Sequence, residues 1–232
     1  MHRLFFCLLL TGCPFLLSAQ TDPALLSTYS EVIPHYPDLY MGGQYRPPHR
    51  TMENSSLYKD HGYELGAVVV NGVEFQGQPI DYDVWYDVVV MINPIHRQLI
   101  TLNHLKIDQF TLSDGTTFVR KEKVPDYFYH KNGFYRQIVE GDTGLYCKHW
   151  KVFSKRKSVF DEFDKYVDQS RYFIEKDGEL VAVNKKNDAF RVLGVNRKEM
   201  QPRLKQERVK YRRDKENYLR ILVETANLQG YE

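Results

Sequence analysis

Short runs of β-branched and aromatic residues, separated by tight-turn pairs at regular intervals, constrain the fold of this chain most strongly. Asn71 and Gly72 follow the run from Leu65 to Val70, and Asp177 and Gly178 divide two later runs in the same way. Such pairs between alternating segments are typical of β-hairpins. The spacing predicts a mostly antiparallel β-meander over residues 61–184.

Residues 80–92 alternate with a period of two. Apolar residues share one parity, and the other parity carries Asp81, Asp83, Trp85 and Asp87. A period of two with apolar residues on one side predicts a half-buried strand, or two strands joined near residues 85–87. The acidic residues and Trp85 are then expected on the outward face.

Two further segments complete the predicted sheet domain. Residues 127–140 contain an Asn-Gly pair and are interpreted as another hairpin. The charged stretch 154–170 is interpreted as an exposed loop or a short helix.

The hydrophobic period changes after residue 184, which predicts a basic helical tail over residues 185–232 and an α+β fold class. Gly194 ends a first short helix, and Asn196 begins a second that runs to about Arg208. Pro202 is expected to kink that second helix or to redefine its start. Asp214 begins a third helix with an apolar stripe.

The N-terminus predicts export. Arg3 precedes an apolar run, and a small-residue junction at Ala19 and Gln20 favours a cleaved signal peptide over residues 1–19. The alternative is a lipobox, in which Cys13 is lipidated and becomes the new N-terminus. Residues 20–60 are rich in Pro and Tyr and are expected to be extended.

The order of these segments resembles a group of secreted or periplasmic proteins of the Bacteroidota with a β-rich domain and a basic helical C-terminal tail. The segments that carry the resemblance are Asp81 to Val90, Ile107 to Leu112, Gly144 to Lys148 and Arg171 to Ile174. The resemblance implies an origin and a compartment. It assigns no activity to any residue of this chain.

Asp81, Asp83 and Trp85 form the one pattern that favours an enzyme or a glycan-binding module. Two positions apart on a strand are separated by about 7 Å, which falls within the about 6.5–9.5 Å typical of an inverting glycosidase pair. Trp85 on the same face would provide a platform for a sugar ring. The competing interpretation is an ordinary solvated strand face.

The remaining chemistry-bearing residues do not form a recognisable motif. His96 and His104 could meet across a hairpin, but no Cys or carboxylate stands at zinc-ligand spacing, so no metal and no cofactor are predicted. Cys147 lies in an alternating stretch and is interpreted as an ordinary strand thiol rather than a nucleophile. No second apolar run reaches membrane length, so no transmembrane segment is predicted.

The tail carries a local excess of positive charge that includes Arg208, Arg212 and Arg213. Such a cluster is attracted to an acidic partner, an anionic surface or an anionic glycan, although a solvated helix face is the simpler interpretation. Nucleic acid is not predicted for an exported chain. The sequence therefore predicts a non-enzymatic binding or interaction module of the cell envelope, with a periplasmic glycan-binding module or hydrolase as the alternative.

Overall fold

The computed structural model describes residues 37–40, 42–48, 52–60, 62–94, 96–122, 133–155 and 163–229. The signal peptide, Cys13 and the predicted strand at 127–129 lie outside the described residues. The helices are α1 (Pro37–Tyr40), α2 (Lys186–Leu193), α3 (Arg197–Gln206) and α4 (Lys215–Gln229). The strands are β1 (Leu65–Val70), β2 (Val73–Asp83), β3 (Val88–Ile92), β4 (Leu99–Thr101), β5 (Ile107–Thr111), β6 (Thr117–Lys121), β7 (Gly133–Val139), β8 (Thr143–Ser154), β9 (Lys165–Lys176) and β10 (Glu179–Val183).

The described strands form one ten-stranded sheet in the order β10-β9-β8-β7-β6-β5-β1-β2-β3-β4. Every named pair of neighbours is antiparallel, which confirms a mostly β fold built on an antiparallel sheet. The meander is interrupted once, because β5 pairs with β1 instead of β4. β1 uses one edge for its hairpin partner β2, and its other edge is left to accept β5.

Two-residue turns fix the register of the predicted hairpins. Val70 pairs with Val73, and between them Asn71 and Gly72 adopt positive φ angles of 50° and 78°. The Asp177 turn between β9 and β10 has the same geometry, with φ values of 52° at Asp177 and 78° at the following glycine. Positive φ at both central positions is the type I′ geometry that matches the twist of the flanking strands.

The long β8–β9 hairpin corrects the interpretation of the stretch 154–170 at residues 154 and 165–170, whereas residues 156–162 lie outside the described residues. Pairing runs without interruption from Thr143 opposite Lys176 to Ser154 opposite Lys165, so residues 165–170 are strand rather than loop or helix. Most side chains from 165 to 170 are exposed. Of these six residues only Tyr166 is buried, so this part of the strand lacks apolar alternation and its polar composition resembles that of a loop.

Residues 80–92 form two strands, as one of the two alternatives predicted. β2 ends at Asp83, a turn follows, and β3 begins at Val88 directly opposite Asp83. Asp87 closes this turn in a left-handed conformation with φ 59°. Asp is one of the few non-glycine residues that enter this region readily.

Residues 52–60 lie against the sheet and contact two strands that are distant in its order. Leu57 bridges to Asp83 at the end of β2, and Met52 bridges to Asp164 just before β9. Lys151 of β8 donates to the carbonyls of Ser55 and Leu57, both at 2.7 Å. Five strands separate β2 from β9, so the sheet curves strongly around its core.

Six rings fill the inside of this curve and are called here the aromatic cluster. The rings of Phe110 and Phe118 stack with centroids 4.9 Å apart, and Tyr82 lies 4.8 Å from Phe118. Burial of large aromatic rings dominates core energetics. The cluster consists of Tyr58, Tyr82, Phe110, Phe118, Phe134 and His149.

The three C-terminal helices end and begin where the sequence predicts. Gly194 ends α2 with φ 72°, the side chain of Asn196 accepts from the Lys198 N–H at the start of α3, and the Asp214 carboxylate accepts from the Asn217 N–H at the start of α4. α3 begins at Arg197, continues through Pro202 and ends at Gln206, two residues before the predicted end, so Pro202 does not redefine its start. No helix among the described residues is long and apolar enough to cross a bilayer.

Helix α4 is fastened to the sheet by apolar and polar contacts. Its Leu219 and Leu222 are fully buried with Leu145 of β8. Glu216 forms an ion pair with Arg136 of β7. The apolar face holds the helix on the sheet, and the ion pair fixes its position along the strand.

The buried imidazole of His149 makes the fold sensitive to acid. Burial, together with the positive charges of Arg136, Lys148 and Lys59, lowers the pKa of His149 to about 3 from an ordinary value of 6.5. The unfolded chain therefore binds this proton first, so the contribution of His149 to stability is complete above pH 6.5 and is lost as the pH falls toward 3.

We expect the His149→Phe variant to lose less stability than the wild type between pH 6.5 and about pH 4. The wild-type penalty from this group is about 1.4 kcal/mol for each pH unit below 6.5. Urea unfolding at several pH values measures the difference. The exposed His96→Phe variant is the control and should follow the wild type; a parallel loss in all three proteins would contradict the prediction.

Candidate functional site

A groove of about 1040 Å³ opens in the helical region, between the start of α2, the end of α3, the loop that follows it, and Tyr218 of α4. None of the thirteen described residues that line the groove is acidic. Seven of them carry a positive charge: Lys185, Lys186, Lys205, Arg208, Lys210, Arg212 and Arg213.

The end of α3 shapes one wall of the groove. Arg208 adopts a left-handed conformation with φ 53°, and the N–H of Val209 donates to the carbonyl of Leu204 at 3.2 Å. A left-handed residue after a helix reverses the chain and satisfies the last free carbonyls. This reversal places Arg208, Arg212 and Arg213 around one groove.

Two tyrosines form the apolar side of the groove. The rings of Tyr211 and Tyr218 meet edge to face with centroids 5.5 Å apart, and the Lys186 ammonium lies 4.9 Å from the centroid of the Tyr218 ring. The hydroxyl oxygens of both tyrosines have no hydrogen-bond partner among the described residues. Leu204 and Val209 extend this apolar surface.

The positive charges of the groove are not neutralised within the described part of the chain. None of the seven cations forms an ion pair there with a carboxylate, whereas the nearby Arg191 pairs with Asp188. Cations crowded into one groove repel each other and favour an anionic ligand. With tyrosine and aliphatic side chains beside them, they can accommodate an anion that also carries an apolar part.

The structure places Asp81 and Asp83 inside the protein, so the expectation of an outward acidic face is wrong. Both residues are 0% exposed. The alternation rule assumes that one face of a strand meets solvent, but residues 52–60 and Tyr45 cover the end of β2. Two strand faces are therefore buried at this point.

Asp83 is saturated with hydrogen bonds. Its Oδ1 accepts from the backbone N–H groups of Trp85 and Tyr86 at 2.8 and 2.9 Å. Its Oδ2 accepts from the hydroxyls of Tyr45 at 2.6 Å and Ser56 at 2.8 Å. The carboxylate therefore shapes the β2–β3 turn and ties the preceding segment to it.

Trp85 does not lie beside an open acidic pair. It is half-buried, and its ring packs against Tyr166 of β9 with centroids 5.0 Å apart. Asp81, Asp83 and Trp85 therefore lie at the end of β2 and in the turn that follows it, where they have a structural role. It does not present them together as a sugar-binding face.

A buried lysine–aspartate pair lies near this turn and was not predicted. The Lys148 ammonium donates to Asp87 Oδ2 at 2.7 Å and to the Phe134 carbonyl at 2.8 Å. The side chain of Lys148 is 0% exposed and that of Asp87 is 6% exposed. The hydroxyl of Tyr82 and the N–H of Phe134 donate to Asp87 Oδ1.

Burial lowers the pKa of the Lys148 ammonium, and the charge of Asp87 opposes this effect. A charged lysine in an apolar surrounding is costly, and a close carboxylate offsets only part of that cost. A lysine within an alternating strand carries no sequence signal of such a partner, because Asp87 is 61 residues away.

The other candidate residues offer no reactive centre among the described residues. Cys147 lies in β8, as predicted, its side chain is fully buried, and this burial raises the pKa of its thiol to about 12. His96 and His104 are exposed. No cluster of three metal-ligating side chains occurs in the described ranges.

Comparisons of the chain with protein families, with curated proteins and with solved structures found no match. The function of this protein is therefore inferred from the geometry and charge of its groove.

Gly133 provides the space in which the buried pair meets. A Cβ atom at this position would lie 1.8 Å from Asp87 Oδ2 and 3.0 Å from Lys148 Nζ. We expect Gly133→Ala to lower the free energy of unfolding by about 1–3 kcal/mol, as for other overpacked sites. The exposed Gly43, whose added Cβ would meet only Thr101 Oγ1 at 3.8 Å, provides the matched control Gly43→Ala.

Equilibrium urea unfolding measures both variants. The Gly43 variant should remain within about 0.5 kcal/mol of the wild type, as is usual for surface substitutions. An equal effect at the two glycines would mean that the close approach of Asp87 is not what requires Gly133.

Proposed function

We propose that this protein is an exported, non-enzymatic binding module of the cell envelope, and that its basic groove binds an anionic amphiphile of the envelope. The observation that carries the proposal is a groove with seven cations, no acidic lining residue and no internal ion pair for any of those cations among the described residues. The ligand chemistry is a phosphorylated or carboxylated headgroup attached to an apolar portion.

The cations of the groove and its tyrosine rings are suited to different parts of this ligand. Lys185, Arg208 and Arg212 can pair with the headgroup, since a groove lined by one sign of charge concentrates counter-ions. Tyr211 and Tyr218 offer ring surface to the apolar part, as aromatic side chains do where one end of a site is apolar and the other is wet. A groove with both features favours an amphiphile over a fully soluble anion.

The alternative of a glycan-binding module or hydrolase centred on Asp81, Asp83 and Trp85 has less support. Both carboxylates are buried, and Asp83 already accepts four hydrogen bonds. A general acid or base must reach the proton that it transfers. The burial of this pair leaves no such access in the folded protein.

The decisive experiment measures binding to vesicles of phosphatidylglycerol and of phosphatidylcholine. We expect the wild type to bind the anionic vesicles only, and to bind them more weakly as salt is added. The triple variant Arg208→Gln, Arg212→Gln, Arg213→Gln should bind roughly a hundredfold more weakly, because each cation near an anionic surface contributes about 1 kcal/mol.

A second triple variant controls for net charge. Arg46→Gln, Arg97→Gln, Lys155→Gln removes the same charge from exposed positions that do not line the groove, and it should bind like the wild type. An equal loss of affinity in both triple variants would mean that diffuse attraction to the positive charge of the protein, and not the groove, accounts for binding. Absence of wild-type binding to anionic vesicles would overturn the proposal. Competition by free inorganic phosphate at millimolar concentration would identify a soluble anion as the ligand instead.

A further inference from the structure

The buried pair near the β2–β3 turn combines a nucleophile and an electrophile in direct contact. Lys148 Nζ lies 2.7 Å from Asp87 Oδ2, and both side chains are almost completely removed from water. We propose that Lys148 and Asp87 condense to an intramolecular isopeptide bond. This inference is independent of the groove and of its ligand.

The surroundings favour a neutral product over two buried charges. Lys148 is enclosed by the Tyr135 ring, 5.1 Å from its centroid, and by the backbone of β7. Burial lowers the pKa of the Lys148 ammonium, which favours release of a proton from Nζ. Condensation of the ammonium with the carboxylate gives an uncharged amide, which the apolar interior favours.

The hydrogen bonds of Asp87 distinguish its two oxygens. Oδ1 accepts from the Tyr82 hydroxyl and lies 3.4 Å from the Phe134 nitrogen, whereas Oδ2 contacts Lys148 Nζ. The Tyr82 hydroxyl is placed to stabilise a tetrahedral oxyanion at Oδ1, and a small approach of the Phe134 N–H would add a second donor. Oδ1 therefore becomes the amide carbonyl, and Oδ2 becomes the leaving group.

The condensation balances without an oxidant or a cofactor. Nζ passes one proton to Oδ2 and attacks Cγ of Asp87, and negative charge develops on Oδ1. A second proton passes from Nζ to Oδ2, the Cγ–Oδ2 bond breaks, and one water molecule leaves. The product is an amide between Nζ and Cγ, with Tyr82 still donating to its carbonyl oxygen.

The backbone brings the groups together before any chemistry. Asp87 is presented by a left-handed turn residue, and the absence of a side chain at Gly133 leaves space that a Cβ would fill at 1.8 Å from Oδ2. Preorganised contact of this kind replaces a bimolecular encounter. The bond would join the β2–β3 turn to the middle of β8 across 61 residues.

Intact mass spectrometry of the folded, purified full chain tests the inference. We expect a mass lower by one water molecule than that calculated from the observed N-terminus. Tryptic digestion should yield a branched peptide that contains both Asp87 and Lys148, with no cleavage after Lys148. A folded wild type at its full calculated mass would overturn the inference.

Two variants separate an isopeptide bond from other losses of water. Lys148→Arg keeps the positive charge but cannot form this amide, so it should retain the full mass. Tyr82→Phe keeps both reacting groups and removes one oxyanion donor, so the cross-linked fraction should fall or form more slowly. Loss of water that persists in Lys148→Arg, as in cyclisation of an aspartate with its own backbone, would contradict the proposal even if the wild type is lighter.

Discussion

Two buried carboxylates in the β2–β3 turn hold together parts of the chain that are remote from each other. Asp83 takes its side-chain donors from Tyr45 and Ser56, 38 and 27 residues earlier, and Asp87 takes Lys148 from 61 residues later. Removal of any one of these partners leaves a buried carboxylate with one hydrogen-bond donor fewer, which lowers the free energy of unfolding. The segment that covers the sheet and the strands beneath it are thus coupled through one turn.

Local signals in the sequence predict much of this fold. The Asn71 turn, the stop at Gly194 and the start of α4 after Asp214 depend only on φ preferences and on side-chain capping. Each of these works within a few residues, so no knowledge of the tertiary structure is needed. The β5–β1 pairing required such knowledge, since β5 could have paired with the free edge of β4 as well as with that of β1.

The candidate sites were less accessible to prediction than the strands. The excess of positive charge around Arg208 and Arg212 can be recognised in the sequence. The groove itself depends on a left-handed turn after α3 and on the packing of Tyr211 against Tyr218. The burial of Asp83 depends on a segment outside the strand pattern altogether. A period of two identifies which side chains share a face, and only the tertiary structure decides whether that face meets water.

The long-range contacts of residues 52–60 have a consequence for the order of folding. Asn54 exchanges two hydrogen bonds with the backbone of Tyr166, a partner 112 residues away, while β9 and β10 close through the two-residue turn of Asp177 and Gly178. Closing a longer loop costs more chain entropy before any contact compensates for it. We therefore expect the covering segment to dock after the strands beneath it have paired. The aromatic cluster is sealed from water only when this last segment is in place.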